Sequence, residues 1–196
     1  MKALIIVDVQ NDFLPGGALA VEDGNEIISI INDLQTEYDL VVATQDWHPV
    51  DHKSFITAHP NNKLFDMIKL NGVDQKIWPV HCVQGTFGAE LAADLSTIAV
   101  EAIFRKGMNK EVDSYSGFYE NDKIRSTGLF GYLRERGVDE VEVCGLALDF
   151  CVYYTANDAL NFGLKSGIIE RASKPISVKG FELIKEDFLS QGGRII

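Results

Sequence analysis

Hydrophobic and polar positions alternate along the chain between short apolar runs and stretches of helical spacing. Five runs rich in β-branched residues predict buried strands, at residues 4–7, 40–43, 100–104, 141–144 and 167–169. Between them, apolar residues at helical spacing predict four amphipathic helices, at residues 27–34, 129–133, 152–162 and 181–188. This alternation predicts an α/β fold, a three-layer α/β/α sandwich around a mainly parallel, doubly wound sheet.

Residues typical of helix ends border two of these helices. Asp23 precedes the first helix, while Ser126 and Thr127 precede the second and Gly137 follows it. We expect these residues to cap the two helices. No internal repeat, low-complexity tract or linker interrupts the pattern, so residues 1–196 are expected to form a single domain.

Composition and charge exclude several classes of partner. The chain has 196 residues, is 46% hydrophobic and 24% charged, and so resembles an ordinary globular protein. Its 18 basic and 29 acidic residues give a net charge of −11, which repels phosphate backbones and anionic lipid. We therefore expect neither nucleic acid nor membrane as a partner. The apolar run at residues 3–7 is too short for a signal or membrane segment, which predicts a cytoplasmic protein.

Cysteine spacing and missing motifs exclude further classes. Cys82, Cys144 and Cys151 are odd in number and have no C-x-x-C spacing, which argues against a disulfide framework and a zinc knuckle. At least one thiol should be free. The sequence also lacks the glycine-rich dinucleotide and phosphate-loop motifs and the G-x-S-x-G motif of serine hydrolases.

Chemically active residue types follow the predicted strands. In an open parallel sheet, the ligand crevice lies beyond the carboxyl ends of the strands. The residues leaving the strands are Asp8, Asp46, Lys106 and the turn at 145–151, which ends at Cys151. Two connections, at residues 46–98 and 107–125, are too long for ordinary turns, and long loops in compact domains are usually functional.

Cys151 is placed to act as a nucleophile. A cysteine in the first turn of a helix is close to the positive end of the helix dipole, and a nearby ammonium such as Lys106 lowers the thiol pKa further. Asp8 could then take the thiol proton, and backbone N–H groups before Cys151 could hold an oxyanion. Taken singly, each residue also fits a structural role, which is how Cys82 and Cys144 are interpreted. The convergence of three such residues on one crevice favours chemistry.

A second cluster combines imidazoles with a carboxylate. Asp46, His48 and His52 lie within seven residues, and His81 follows in the same long connection. Such a set suits Zn(II), Fe(II) or Mn(II), and three protein ligands leave positions open for water or substrate. The alternative is that these histidines are polar loop residues, as His59 is expected to be. The residues alone favour neither interpretation.

Five segments together resemble the nicotinamidases, also called pyrazinamidases, of the isochorismatase-like hydrolases. They span nearly the whole chain: ALIIVDVQNDF (3–13), DWHPVDHKSF (46–55), WPVHCVQGTFGAEL (78–91), KGMNKEVDSYSGF (106–118) and GLALDFCV (145–152). The D-V-Q-N-D-F and D-W-H-P segments with the downstream W-P-x-H-C-V are fairly specific to nicotinamidases. The aspartate, lysine and cysteine alone would fit the wider superfamily.

The resemblance implies two sets of site residues. The catalytic triad would be Asp8, Lys106 and Cys151. The metal ligands would be Asp46, His48 and His81, holding one divalent metal, with zinc favoured over iron or manganese. At the position of His52 the resemblance leaves two roles open, a fourth ligand or a partner of metal-bound water.

The resemblance also implies a substrate pocket. Phe13 and Trp78 would flank the substrate ring, with Tyr115 in the pocket wall. The backbone N–H groups of Ala147 and Cys151 would form the oxyanion hole, next to a cis peptide bond at residues 146–147. The role of Phe150 stays open.

The function implied is hydrolysis of nicotinamide to nicotinate and ammonia in NAD salvage, through a thioester on Cys151, with pyrazinamide as a further substrate. The metal would hold the ring nitrogen of the substrate rather than activate the thiol. Two alternatives are a relative with the same fold that acts on a ureido or carbamoyl amide or a vinyl ether, and a non-catalytic metal-binding module. The sequence leaves open whether chains associate into a homo-oligomer.

Overall fold

A six-stranded parallel sheet forms the centre of the molecule. The computed structural model describes residues 1–196. The strands of the sheet are β1 (Lys2–Val7), β2 (Leu40–Asp46), β5 (Val100–Lys106), β6 (Glu140–Leu146), β7 (Lys165–Lys174) and β8 (Arg194–Ile195). Their order in the sheet is β5-β2-β1-β6-β7-β8, and every neighbouring pair is parallel. The predicted parallel sheet is thus confirmed, and β8 is an additional edge strand.

The sheet is buried on both faces, as the continuous apolar runs predict. In β1, Leu4 and Ile6 belong to one core cluster, whereas Ala3, Ile5 and Val7 belong to the cluster on the opposite face. All five are fully buried. Because side chains alternate along a strand, only a sheet covered on both sides can bury such a run.

Four helices cover the two faces and confirm the predicted layers. Helix α1 (Ile27–Leu34) packs in the first cluster. The second cluster contains residues of α2 (Leu129–Glu135), α3 (Tyr153–Asn161) and α4 (Val178–Ser190). None of the helices is long and apolar enough to cross a membrane.

The helix starts differ from the expectation. Asp23 does not cap α1, because a 3₁₀ turn at Gly24–Glu26 intervenes and the backbone of Asp23 has a left-handed conformation. The hydroxyl of Ser126 accepts from the N–H of Gly128, and that of Thr127 accepts from the N–H of Leu129, so this pair does bind the start of α2. A true side-chain cap is instead found on α4, where the hydroxyl of Ser177 accepts from the N–H of Gly180.

The long connection after β2 contains a hairpin that the hydrophobic pattern did not predict. Strands β3 (Met67–Leu70) and β4 (Val73–Lys76) pair antiparallel around Asn71 and Gly72. Both turn residues have positive φ, which is the geometry that an Asn-Gly pair favours in tight hairpins. The strands are short and largely exposed, so they carry little apolar pattern.

Candidate active site

The carboxyl ends of the central strands bring the candidate residues together. In the register of β2 and β5, Asp46 lies opposite Lys106. Asp8 follows β1, the neighbour of β2, and Cys151 follows β6 on the other side of β1. All four side chains are buried.

The Lys106 ammonium is the centre of the cluster. Its Nζ lies 2.8 Å from Asp8 Oδ2 and 2.8 Å from Asp46 Oδ1. It also donates to the carbonyl of Ser114 at 2.9 Å and lies 3.5 Å from Cys151 Sγ. Burial lowers the pKa of Lys106, but the two carboxylates outweigh this and hold the pKa well above its ordinary value. Lys106 therefore stays charged.

The protonation of Cys151 corrects one expectation. Cys151 lies in a π-helical turn, Leu148–Val152, that leads directly into α3, so its place at a helix start is as predicted. However, burial raises the pKa of its thiol well above the ordinary value; Lys106 lowers it, while Asp8 and Asp46 raise it. The one ammonium is shared between two carboxylates, so it cannot offset the desolvation. The resting group is a thiol rather than a thiolate.

Asp8 is positioned to receive the thiol proton. Its carboxylate oxygen lies within 4.8 Å of Cys151 Sγ, and its Oδ1 accepts from the Thr44 hydroxyl at 2.7 Å. Burial raises the pKa of Asp8, although Lys106 opposes the shift. A carboxylate with a raised pKa is a stronger base than an exposed one, which suits proton transfer from a buried thiol.

Asp46, His48 and His81 form a set of donors that fits a divalent metal. Their ligand atoms all lie within 4.8 Å of one another. His48 Nδ1 contacts the Gly107 carbonyl at 2.9 Å and His81 Nδ1 contacts the Pro79 carbonyl at 2.8 Å, so each Nδ1 is the donor. The Nε2 atoms of His48 and His81 lie 3.3 Å and 3.7 Å, respectively, from Asp46 Oδ2. His48 Nε2 has no hydrogen-bond partner. Buried lone pairs converging on a carboxylate are typical of a metal site.

The charge state of Asp46 agrees with this arrangement. Burial by itself would raise its pKa, but His48, when its ring is protonated, and Lys106 hold the pKa well below its ordinary value. Its backbone is held by Gln10, whose amide accepts from the Asp46 N–H and donates to the Asp46 and Ala89 carbonyls, each at 2.8 Å. Gln10 belongs to the D-V-Q-N-D-F segment, yet sequence reasoning assigned it no role.

His52 differs from the other two histidines in its hydrogen bonding. Its Nδ1 accepts from the Ser54 N–H at 3.2 Å and contacts the Ser54 hydroxyl at 2.8 Å. The proton of the neutral ring is therefore on Nε2, which is buried without a partner. Burial lowers the pKa of His52 to about 4, so the ring is neutral at pH 7.

Asp113 is a site residue that the sequence did not single out. It is buried, and its carboxylate lies within 4.8 Å of ligand nitrogens of His48 and His52. Its Oδ2 accepts from the Gln75 amide at 2.9 Å. The sequence signals were its position in the long connection after Lys106 and its place in the segment 106–118 that carries the family resemblance.

An aromatic pocket opens onto Cys151. It is lined by the rings of Phe13, Trp78, His81, Tyr115 and Phe150 together with Ala147, among others. The Trp78 indole N–H donates to the Tyr115 hydroxyl at 3.2 Å. The peptide bond between Leu146 and Ala147 is cis, as the resemblance implied. The structure thus brings the residues expected for the triad, the metal and the pocket into one site.

Comparison with known proteins identifies the family. An isochorismatase domain profile matches residues 2–183. A nicotinamidase of Acinetobacter baylyi is 51% identical over 178 residues, which are 91% of this chain and 83% of the relative. The solved structure of a nicotinamidase/pyrazinamidase from Acinetobacter baumanii is 47% identical with a TM-score of 0.96, covering 100% of this chain and 95% of that one.

A further structure similar to this chain is a pyrazinamidase of Pyrococcus horikoshii in complex with zinc. It is 37% identical, covers 100% of this chain and 98% of that one, and superimposes with a TM-score of 0.80. The shared fold, the long matches and the site geometry agree. The chain therefore belongs to the isochorismatase family and, within that family, resembles the nicotinamidases.

Proposed function

We propose that the protein is a nicotinamidase, a cysteine amidohydrolase that converts nicotinamide to nicotinate and ammonia and also hydrolyses pyrazinamide. The observation that carries this proposal is the buried Lys106 ammonium, in contact with Asp8, Asp46 and Cys151 Sγ beside an aromatic pocket. The identity to nicotinamidases supports the same substrate class. Nicotinate formation would place the protein in NAD salvage, a cytoplasmic role.

In the first half-reaction, the sulfur of Cys151 attacks the carboxamide carbon while its proton passes to Asp8. The new oxyanion would lie on the backbone N–H groups of Ala147 and Cys151. Lys106 orients Asp8 and offsets its charge, since its Nζ is 2.8 Å from Asp8 Oδ2. Because the resting thiol is protonated, attack and proton transfer must be coupled.

The intermediate then collapses. Asp8 returns the proton to the amide nitrogen, the C–N bond breaks, ammonia leaves, and a thioester to Cys151 remains. In the second half-reaction Asp8 takes a proton from water, which attacks the thioester carbonyl. Nicotinate is released as the C–S bond breaks, and the proton returns to the sulfur.

Phe13, Trp78 and Tyr115 are proposed to bind the heteroaromatic ring. Phe13 and Trp78 are each 4% exposed, so their faces are held rigidly by packing. Flat rings suit aromatic stacking, whereas aliphatic amides would leave the pocket poorly filled.

Asp46, His48 and His81 would hold a divalent metal, most simply zinc, since the similar pyrazinamidase of Pyrococcus horikoshii has been solved in complex with zinc. A bound divalent ion would supply an electrophile for the lone pair of the pyridine nitrogen, and so would orient the amide toward Cys151. We infer that His52 is an outer partner of this site, because in the tautomer whose Nδ1 accepts from the Ser54 N–H the proton lies on Nε2.

The test is ammonia release from nicotinamide, pyrazinamide, a ureido amide and an alkyl amide, with metal analysis of the same protein. Cys151→Ala and Asp8→Asn should each lower kcat/KM for nicotinamide by several orders of magnitude, because they remove the nucleophile and the proton carrier. Cys144→Ala is the matched control, since Cys144 is a buried strand residue outside the pocket. Substantial activity in folded Cys151→Ala protein would refute the mechanism. Preference for the ureido amide would instead favour the alternative hydrolase.

A further inference from the structure

The pocket above Cys151 is too small for the substrate class proposed. Its cavity measures about 20 Å³, which is close to the space of one or two water molecules. By comparison, a protein cavity of about 150 Å³ is of the size that takes up benzene. A pyridine ring with a carboxamide is larger than benzene. At least one wall residue must therefore move before such a ring can reach Cys151.

Most of the wall is held in place. Phe13 and Trp78 are each only 4% exposed. The hydroxyl of Tyr115 accepts from the Gln75 amide at 3.0 Å and from the Trp78 indole at 3.2 Å, and the Tyr115 N–H donates to Asn121 Oδ1 at 2.9 Å. These residues cannot turn without breaking hydrogen bonds or opening the core.

Phe150 is the aromatic wall residue whose side chain is neither fully buried nor hydrogen-bonded. Its ring is partly exposed and lies 4.9 Å from the ring of Trp78 at 83° and 5.6 Å from the ring of Tyr115 at 77°. The ring also packs against the edges of both core clusters, but a phenyl ring makes no hydrogen bond that would be broken on rotation. Ile176 is a second wall residue with an accessible side chain, at 36% exposed, and the 2.8 Å bond from its N–H to Asp149 Oδ1 fixes its backbone only.

A cation lies against the same ring. Lys76, the last residue of β4, places its Nζ 5.5 Å from the ring centroid of Phe150 and 5.9 Å from that of Trp78. No carboxylate lies within ion-pair distance of this ammonium, since Lys76 is absent from the salt bridges of the structure. The ammonium therefore favours the position in which both rings are close together, which is the closed pocket.

We propose that Phe150 is a specificity-determining gate, held closed by Lys76, that turns aside to admit a flat amide and rejects rings carrying additional substituents. The role of Phe150 in selecting substrates rests on the proposed amidase function. The gating of access to Cys151 does not, because a thiol reagent must pass the same wall.

The first experiment measures passage without catalysis. The rates of alkylation of Cys151 by small iodoacetamide and by flat, bulky N-phenylmaleimide are followed by mass spectrometry of the Cys151 peptide. Phe150→Ala should raise the rate with N-phenylmaleimide about tenfold or more relative to the rate with iodoacetamide. The matched control is Phe65→Ala, because Phe65 contacts Trp78 at 6.0 Å but does not line the pocket. An unchanged ratio, or equal acceleration by both reagents, would overturn the gate.

The contribution of Lys76 is tested in the same assay. Lys76→Met should raise the ratio about two- to fivefold, the effect expected from losing a cation–π contact at a partly exposed site, and Lys76→Arg should restore it. Lys69→Met is the control, because it removes the same charge from the same hairpin and Lys69 pairs with Asp74 instead. If the ratio of the N-phenylmaleimide rate to the iodoacetamide rate is the same in Lys76→Met and Lys69→Met, Lys76 does not hold the gate closed.

The second experiment measures specificity. Phe150→Ala should raise kcat/KM for 5-methylnicotinamide relative to nicotinamide by about tenfold, whereas Phe65→Ala should leave the relative value unchanged. An unaltered preference in Phe150→Ala would refute its role in specificity. If neither amide is hydrolysed by the wild-type protein, the proposed function fails, while the alkylation ratio still decides whether Phe150 is a gate.

Discussion

Substitution of Gly107 by alanine is expected to displace a candidate metal ligand without unfolding the protein. Gly107 follows β5 with φ of +66°, and its carbonyl accepts from His48 Nδ1. A Cβ atom at this position would lie 2.4 Å from His48 Cε1, 2.6 Å from His48 Nδ1 and 3.1 Å from Asp46 Oδ1. The glycine is needed because the imidazole occupies the space where a side chain would begin.

The magnitude has two parts. A left-handed alanine costs about 1–2 kcal/mol of folding free energy. Non-bonded carbon atoms require about 3.5 Å, so the His48 ring has to move by about 1 Å. A misplacement of that size in an active site can lower the rate about 100-fold. The first effect acts on stability alone, whereas the second also displaces the site, so a control variant with only the first effect separates them.

Gly137→Ala is the matched control. Gly137 has φ of +73°, and a Cβ there meets no atom within 4 Å, so this variant carries the backbone strain alone. Gly137→Ala should lower Tm by about 2–8 °C, since 1 kcal/mol corresponds to about 2–4 °C in a chain of this length, and Gly107→Ala should lower it at least as much because it also displaces the buried His48 ring. Only Gly107→Ala should contain less bound metal, and only in this variant should kcat/KM for nicotinamide fall about 100-fold. Equal metal content and activity in the two variants would refute the placement argument for His48.

Three further outcomes are expected. Burial raises the pKa of Cys144, so the folded state keeps this proton above pH of about 8.5 while the unfolded chain loses it. The stability that this thiol contributes is full below that pH and falls by about 1.4 kcal/mol per pH unit above it. The free energy of unfolding, measured with urea between pH 8 and 10, should therefore fall less steeply with pH in Cys144→Ala than in the wild-type protein. An identical dependence on pH in the two proteins would contradict the assignment. Benzamide, which lacks the ring nitrogen, should have a kcat/KM about 10⁴-fold below that of nicotinamide, and comparable values would exclude the metal as an anchor. In the folded fraction of Trp78→Ala protein, KM for nicotinamide should be higher than in the wild-type protein. A normal KM together with a lowered Tm would mean that Trp78 contributes to packing alone.

The hydrophobic pattern by itself determined the central architecture. The five apolar runs became β1, β2, β5, β6 and β7, and the four amphipathic segments became α1 to α4. Burial of both sheet faces requires such runs, so the sequence encodes them locally. The hairpin of β3 and β4 was missed because its exposed strands bury too little apolar surface to show a pattern, even though Asn71-Gly72 is a hairpin signal.

The sequence also indicated which residues meet at the candidate site. Asp8, Asp46 and Lys106 each come at or just after the carboxyl end of a strand, and neighbouring parallel strands bring these ends to one edge. The family resemblance selected His81 as a ligand from the histidines of the long connection and added the pocket aromatics, which no spacing rule would supply. The sequence therefore predicted which residues lie in the site better than it predicted their protonation states and contacts.

Only the tertiary structure decided that state. Helix position and a nearby lysine suggested a lowered thiol pKa for Cys151, but burial and two competing carboxylates reverse the direction. Gln10 holds Asp46 from 36 positions away, and the carbonyl of Gly107 binds His48 from 59 positions away. Desolvation, the sharing of one ammonium and contact between distant segments depend on distances in three dimensions. Local sequence patterns contain no information on those distances.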